Sequence, residues 1–595
     1  MTYAKTVFII TLSFLGLFML PGFAASPRLP ARPEMASYNP APANKYHSPL
    51  SATTVLALSE ALTNITGPTS AVAAASLAST PGQPGSDQSI RTNAIRFIND
   101  NSDFPQSETT IAVDPGNPNN IVMGYNDGRY FLCPILVAEC AGPQPSSLSG
   151  FSVSIDGGKT VAKTGNLPDL LVNNSRFAPT GDPSLTPTVD GNFFYATLLF
   201  NAFSPFFGNA ILVAKSNANL FDPNISCATD PNNVYANACW NARIVYGNLG
   251  FPVLALEDKD RIAVNRDPSS PFFGSVYIGW DHFRFDGSSD SFVARCDNDL
   301  AGCVMLSGGT QPIISSPDRF VGWTTPTVDK NGNVHVAWCN FGTFFTLGPV
   351  DCRISSSPPG GQAFGPPVEI LSYMGPGTML PTGTSVVGWA TEQFRVASGI
   401  ISLAADLSPK TNNLYFTTII CTSGHFYVFP SFVGVAFDNP GLCGTSTAFL
   451  SMSADGGATW SSPKSLSKPA VNDQAYVTVD SFTGQVYVTY YTTQFDGFNH
   501  RIDVVVSSSN NGGQAFHQFR VTSVSNEPDS DPNMFDYLIP SGFGGSFLVP
   551  QFGDYFESTS IGGTLYVSFT ANYSAEQGTL QTDPFLIVKG PGNQQ

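Results

Sequence analysis

One unit returns seven times between residue 92 and the C-terminus, and recurrence at a fixed interval leaves few architectures open. Each copy is an apolar strand ending in Asp or Asn, a Gly- or Asn-rich turn, and a second strand that alternates aromatic and small residues. The first copy is Glu108-Thr-Thr-Ile-Ala-Val-Asp114 with Asn120-Ile-Val-Met-Gly-Tyr125. The second runs from Asp182 to Asp190 with Phe193-Phe-Tyr-Ala-Thr197, and the third from Asp258 to Asn265 with Gly274-Ser-Val-Tyr-Ile-Gly-Trp280. Next come Thr325-Pro-Thr-Val-Asp329 with Asn333-Val-His-Val-Ala-Trp338, and Ile400 to Asp406 with Asn413-Leu-Tyr-Phe-Thr417. The last two are Asp473 to Asp480 with Gly484-Gln-Val-Tyr-Val-Thr-Tyr490, and Asp554-Tyr-Phe-Glu557 with Gly563-Thr-Leu-Tyr-Val-Ser-Phe569.

The copies stand roughly 70–80 residues apart, room for a four-stranded sheet with generous loops, and their period-two alternation marks strands. The pattern predicts an all-β fold, a β-propeller whose blades are four-stranded sheets. Seven copies give seven blades; a six-bladed ring would require one copy to be an insertion. The seventh copy has room for three strands before Gln595, and Ala94-Ile-Arg-Phe-Ile98 is expected to add the fourth and close the ring without a free sheet edge. Composition agrees: only 12% of residues are charged, while Gly (55), Pro (47) and Phe (46) are abundant, which suits short strands and turns rather than helices.

Ahead of the repeat, residues 1–25 read as a secretory signal peptide. Lys5 gives a basic start, Val7 to Leu20 is an apolar run short for a bilayer span, and Pro21-Gly-Phe-Ala-Ala25 offers small residues for cleavage. Residues 26–91, rich in Ala, Ser, Thr and Pro, read as a weakly ordered leader, and 92–595 as the propeller. The expectation is a secreted, periplasmic or extracellular monomer with no membrane span in its mature chain. The ten cysteines fall into neighbouring pairs: Cys133/Cys140, Cys227/Cys239, Cys296/Cys303, Cys339/Cys352 and Cys421/Cys443. In an oxidising compartment these read as five local disulfides. A net charge of −17 with no Lys/Arg cluster argues against nucleic acid or an anionic membrane as partner.

A third strand in several copies ends in Ser-x-Ser, and there the chain resembles the sialidase-like propeller superfamily. Its Asp-box signature, S-x-D-x-G-x-T-W, is matched in full by Ser453-Ala-Asp455-Gly-Gly457-Ala-Thr459-Trp460. Ser154-Ile-Asp156-Gly-Gly158-Lys-Thr160-Val161 matches all but the final aromatic, and Ser509 to Phe516 and Ser357 to Phe364 are degenerate copies. The box is a turn device: Asp accepts from nearby backbone N–H groups, Gly supplies positive φ, and the aromatic packs beneath. The resemblance implies a structural role for these residues and covers residues 92–595.

Chemistry is expected where the inner strands begin. Glu108, Asp182, Asp258 or Asp260, Asp473 and Asp554 open those strands, and the repeat places them around one channel mouth, opposite the Asp boxes. Three readings follow: caps for backbone groups, oxygen ligands for a cation such as Ca²⁺, or carboxylates of a glycoside hydrolase. No cofactor is required by the first or third. The resemblance implies an arginine triad for a substrate carboxylate, a Tyr nucleophile paired with Glu, and an acidic proton donor. Arg261, Arg319 and Arg129 stand near that mouth, and Tyr555 beside Asp554 fits a nucleophile with Glu557 or Glu108 as partner. The superfamily's F/Y-R-I-P motif is absent. The expected function is therefore a propeller binding a glycan or polypeptide at an acidic mouth, with a sialidase-like hydrolase or an interaction scaffold as alternatives.

Overall fold

A computed structural model describes residues 92–99, 106–128, 147–201, 208–229, 233–250, 255–284, 288–306, 314–316, 321–340, 349–374, 400–424, 443–497, 501–527, 538–540, 546–548, 556–576 and 579–591. The proposed signal peptide and leader lie outside these residues, as do Arg129, Cys133, Cys140, Arg319, Asp554 and Tyr555.

The described residues form seven antiparallel blades. Their first strands are Gln106–Val113 in blade one, Ser184–Pro187 in blade two and Ala255–Val264 in blade three. Blades four to seven begin with Val321–Val328, Ile401–Ala405, Asn472–Val479 and Ser558–Ile561. Each first strand packs against that of the next blade, and the last returns to the first, so these strands make a closed inner ring. Seven sheets, not six, make up the ring; none of the seven sequence copies is an insertion.

Two blades carry more than four strands. In blade two, Leu170–Val172 and Ser175–Pro179 extend the inner edge, and in blade three Ile314–Ser316 pairs with the third strand. Blade seven consists of Ser558–Ile561, Thr564–Glu576 and Thr579–Lys589, and Ile95–Arg96 lies antiparallel beside the last of these. Arg96 Nε sits 2.7 Å from Asp583 Oδ2, and the Phe97 N–H donates to Pro584 O at 2.8 Å.

In blades one, five and six the Asp that ends the apolar strand has a direct structural cause. Asp480 Oδ1 accepts from the N–H groups of Phe482 and Thr483, Asp406 Oδ1 from that of Ser408, and Asp114 Oδ1 from that of Gly116. These carboxylates replace backbone acceptors in the first-to-second strand turn. Asp480 also ties neighbouring blades, since its Oδ2 accepts from Gly563 N at 2.7 Å and Ser560 Oγ at 2.8 Å. Between the blades, alternating aromatic and aliphatic residues bury together; Trp280, Trp338, Tyr277, Tyr415 and Tyr487 are fully enclosed.

Ser154 to Thr160 and Ser453 to Trp460, the two fullest matches to the signature, form the same turn. Asp156 Oδ1 accepts from the N–H groups of Lys159 and Thr160 at 3.0 Å, and Gly158 N donates to Ser154 Oγ at 2.9 Å. Asp455 accepts from Thr459 N at 2.9 Å and Thr459 Oγ1 at 2.5 Å, while Gly457 N donates to Ser453 Oγ at 2.8 Å. Gly158 and Gly457 take φ of 85° and 91°, the left-handed region that favours glycine. Trp460 packs edge-on against Phe416. Burial pushes the Asp156 carboxyl up, but the Thr160, Ser154 and Lys159 hydrogen bonds outweigh it and bring it down to about 2.

Disulfides join Cys227 to Cys239, Cys296 to Cys303 and Cys339 to Cys352. The first two staple third-to-fourth strand connections and the third links the second and third strands of blade four. The side chains of Cys421 and Cys443 lie outside the described residues.

Candidate functional site

The inner strands share an irregularity at their opening end. Glu108 (φ 52°), Asp182 (φ 51°), Lys259 (φ 59°), Trp323 (φ 65°) and Gln474 (φ 52°) all stand in the left-handed region, one in each of five blades. In blades one, three, four and six the ladder to the second strand skips at this point, between Ser107 and Thr110, Asp258 and Arg261, Gly322 and Thr325, and Asp473 and Tyr476. These are β-bulges, which re-aim side chains at strand ends. A non-glycine residue with such a φ costs roughly 1–2 kcal/mol, so the surroundings must hold it there.

Acidic residues do much of that holding. Asp258 Oδ1 accepts from Lys259 N and Asp473 Oδ1 from Gln474 N, both at 2.9 Å. Asp281, on the second strand of blade three, reaches the bulge of blade four: its Oδ2 accepts from Trp323 N at 2.6 Å and its Oδ1 from Thr324 N at 3.0 Å. Burial pushes the Asp281 carboxyl up to about 7, against the Thr324 and Trp323 hydrogen bonds and Lys259, which draw it down. Asp258 and Asp473 each cap the backbone N–H of the residue that follows them.

The described acids make different contacts. Glu108 Oε2 accepts from Asn126 Nδ2 at 2.7 Å within its own blade. Asp182 and Asp258 flank an internal cation instead: Lys259 Nζ lies 3.2 Å from Asp182 Oδ2, 3.6 Å from Asp258 Oδ1 and 5.5 Å from the centre of the Trp323 ring. Asp260 is fully buried and neither carboxylate oxygen has a hydrogen-bond partner. Burial first, then Asp182 and Asp258, raise its carboxyl well above the ordinary range, against the pull of Arg261. Among the described residues no group of three or more His, Cys, Asp or Glu side chains is arranged to hold a metal ion.

Behind that rim the channel is bridged. Arg261 of blade three places Nη1 2.9 Å from Oε1 of Glu557, which immediately precedes the first strand of blade seven. Those blades are not neighbours in the ring, so the pair crosses the channel. Thr110 Oγ1 of blade one donates to Glu557 Oε2 at 2.5 Å, and Tyr476 of blade six lies within electrostatic reach of both charges. Burial and the Glu557 charge push the Tyr476 phenol well above its ordinary value, against the pull of Arg261. Burial likewise pushes Glu557 up, while Arg261 and Thr110 draw it back.

Of the sequence-derived candidates, the structure brings Arg261 together with Glu557 and Asp182 with Asp258, while Glu108 meets Asn126 and Asp473 caps Gln474. Lys259, Thr110 and Tyr476 were not among those candidates. The repeat carries a signal for Thr110 and Tyr476 but not for Lys259: like Arg261, each is the first residue paired after the bulge, opposite Gly124, Thr489 and, for Arg261, Gly279.

No protein-family model matches the chain, and no curated protein does. Among solved structures, the chain is similar to a GH93 α-L-arabinofuranosidase of Fusarium graminearum in complex with arabinobiose, at 9% identity and a TM-score of 0.36, over 71% of this chain and 97% of that one. It is similar to a PL25 ulvan lyase at 9% identity and a TM-score of 0.41, over 84% and 96%. A Trypanosoma rangeli sialidase, bound to 2,3-difluorosialic acid, aligns at 12% identity and a TM-score of 0.35, over 81% and 70%.

Proposed function

We propose that this protein is a secreted β-propeller that binds a glycan at the channel mouth, beside Asp182, Asp258, Lys259 and Trp323. One observation carries the reading: a carboxylate–ammonium–carboxylate group stands against an indole at the opening of the inner strands. Asp258 is the accessible member, its side chain 31% exposed, and offers acceptors for vicinal hydroxyls. Cationic and carboxylate groups backed by an aromatic suit a hydroxyl-rich ligand better than an apolar one. The three disulfides among the described residues fit an oxidising compartment. Nor is any helix among those residues long and apolar enough to cross a membrane. Binding needs no cofactor, because Lys259 supplies the positive charge that Ca²⁺ would otherwise bring between Asp182 and Asp258.

A hydrolytic reading draws support from a different observation, the electrostatic influence of Glu557 and Arg261 on the Tyr476 phenol. There Glu557 would take the phenol proton as Tyr476 bonded to the anomeric carbon and the glycosidic C–O bond broke, the departing oxygen taking a proton from water, with Arg261 holding an anionic substrate. Binding is favoured because Glu557 is already committed to Arg261 and Thr110 in a buried pair. Titrating tryptophan emission with a panel of acidic and neutral oligosaccharides tests the choice, alongside fluorogenic glycosides. Saturable emission change, abolished by Trp323→Phe and without turnover, supports binding. Turnover lost in Tyr476→Phe would replace it with hydrolysis, and saturation by polypeptides alone would replace the glycan.

A further inference from the structure

The face that carries the Asp boxes holds a cleft of about 480 Å³ between blades four and five, lined among others by Asp329, His335, Ser356, Asn412 and Gly456. In blades two, three, five and six an aromatic residue (Phe194, Tyr277, Tyr415 and Tyr487) stands next to the end of the first-to-second strand ladder. In blade four that place belongs to His335, paired with Thr327 on the first strand and Ser356 on the third. A smaller ring with two nitrogens thus replaces a phenol or phenyl group.

Its two nitrogens face two different groups. His335 Nδ1 lies 2.8 Å from Ser356 Oγ, and Nε2 lies 3.5 Å from Asp329 Oδ2. Both His335 and Asp329 are buried, while Ser356 is half-buried on the cleft wall. Asp329 is fixed from four directions: its Oδ1 accepts from Asn331 N and Asn333 N at 2.9 Å, and its Oδ2 from the Asn333 and Asn412 amides at 3.0 Å. Burial raises its carboxyl, but the His335, Asn412 and Asn333 side chains hold it well below the ordinary range, so it stays ionised. An ionised carboxylate facing one imidazole nitrogen sets the proton there and leaves the other free to accept from a hydroxyl.

We propose that Ser356, His335 and Asp329 form an acyl-transfer relay, and that this cleft takes a small carboxylic ester. Ser356 Oγ bonds to the acyl carbon as its proton passes to His335 Nδ1. The bond from acyl carbon to alkoxy oxygen then breaks, and His335 returns the proton to the departing alcohol. Water repeats the sequence on the acyl-serine, releasing the carboxylic acid and restoring the serine hydroxyl. Asp329 stabilises the imidazolium in both halves without taking its proton. The site is separate from the channel mouth and independent of what binds there.

A fluorophosphonate probe, in which the serine oxygen displaces fluoride, tests the relay directly, with the labelled peptide located by mass spectrometry. The wild-type protein is expected to carry the label on Ser356 and to hydrolyse 4-nitrophenyl acetate; Ser356→Ala should do neither. His335→Tyr restores the aromatic of the other blades, so it should fold with an unchanged circular dichroism spectrum yet label at least 100-fold more slowly. Folded wild-type protein that takes no label at Ser356, or a His335→Tyr variant labelled there at the wild-type rate, would overturn the proposal.

Discussion

Arg261 and Glu557 meet at 2.9 Å although they belong to blades three and seven, and both side chains are nearly inaccessible. The pair is a strut across the channel, and it closes the space behind the Asp182–Lys259–Asp258 rim.

Removing one partner from a buried ion pair leaves an uncompensated charge, typically at a cost of about 3–5 kcal/mol. Arg261→Met is expected to destabilise by that amount in urea unfolding. Arg261→Met combined with Glu557→Gln should be less destabilised than Arg261→Met alone, since no buried charge is then left unpaired. A double variant as unstable as the sum of the singles would show that the two do not interact.

The Asp281 carboxyl stands at about 7 in the fold against an ordinary value of 3.8. Its folded form holds the proton more tightly, so its contribution is fully present below pH 3.8 and is lost as pH rises towards 7. Asp281→Asn removes this titration. The Tm of wild type relative to that variant should therefore fall between pH 4 and pH 7; a difference that stays flat across that window would contradict the assignment.

Much of this architecture is legible in the chain before any coordinates. Asp114, Asp406 and Asp480 mark strand ends because a turn needs an acceptor there, and an Asx residue followed by Gly or Asn displays that need in sequence. Ser453 to Trp460 announces its own turn for the same reason. The bridge was harder to see. Arg261, Glu557, Thr110 and Tyr476 come from four blades, and no local spacing records which charges face each other across a ring. Lys259 was hidden because a lysine at φ 59° contradicts backbone preference, and only the surrounding carboxylates and indole justify it.

Lys259 also makes a prediction about metal. With its ammonium between Asp182 and Asp258, added Ca²⁺ or EDTA should leave the wild-type Tm unchanged. Lys259→Met leaves two carboxylates facing each other, so that variant should gain Tm with millimolar Ca²⁺. A Ca²⁺-dependent Tm in the wild type would reverse this reading.

The N-terminal strand is expected to complete blade seven. Phe97 is fully buried against Ile111, Ile121 and Leu586, and large-to-small changes at such aromatics cost about 3–5 kcal/mol. Phe97→Ala should lose that stability in urea unfolding, and Arg96→Ala, which leaves Asp583 without its 2.7 Å partner, should lose less. A Phe97→Ala variant of wild-type stability would mean the strand is dispensable.

The most direct measurement is binding of the mature protein to an immobilised glycan array, beside its Asp258→Asn variant. Asp258 is accessible, and Asn keeps its size and an acceptor oxygen for Lys259 N, so the fold should survive. Saturable binding to a defined group of glycans is expected, weakened at least tenfold in the variant. No binding by folded wild-type protein, or equal binding by the variant, would contradict a glycan site at this mouth.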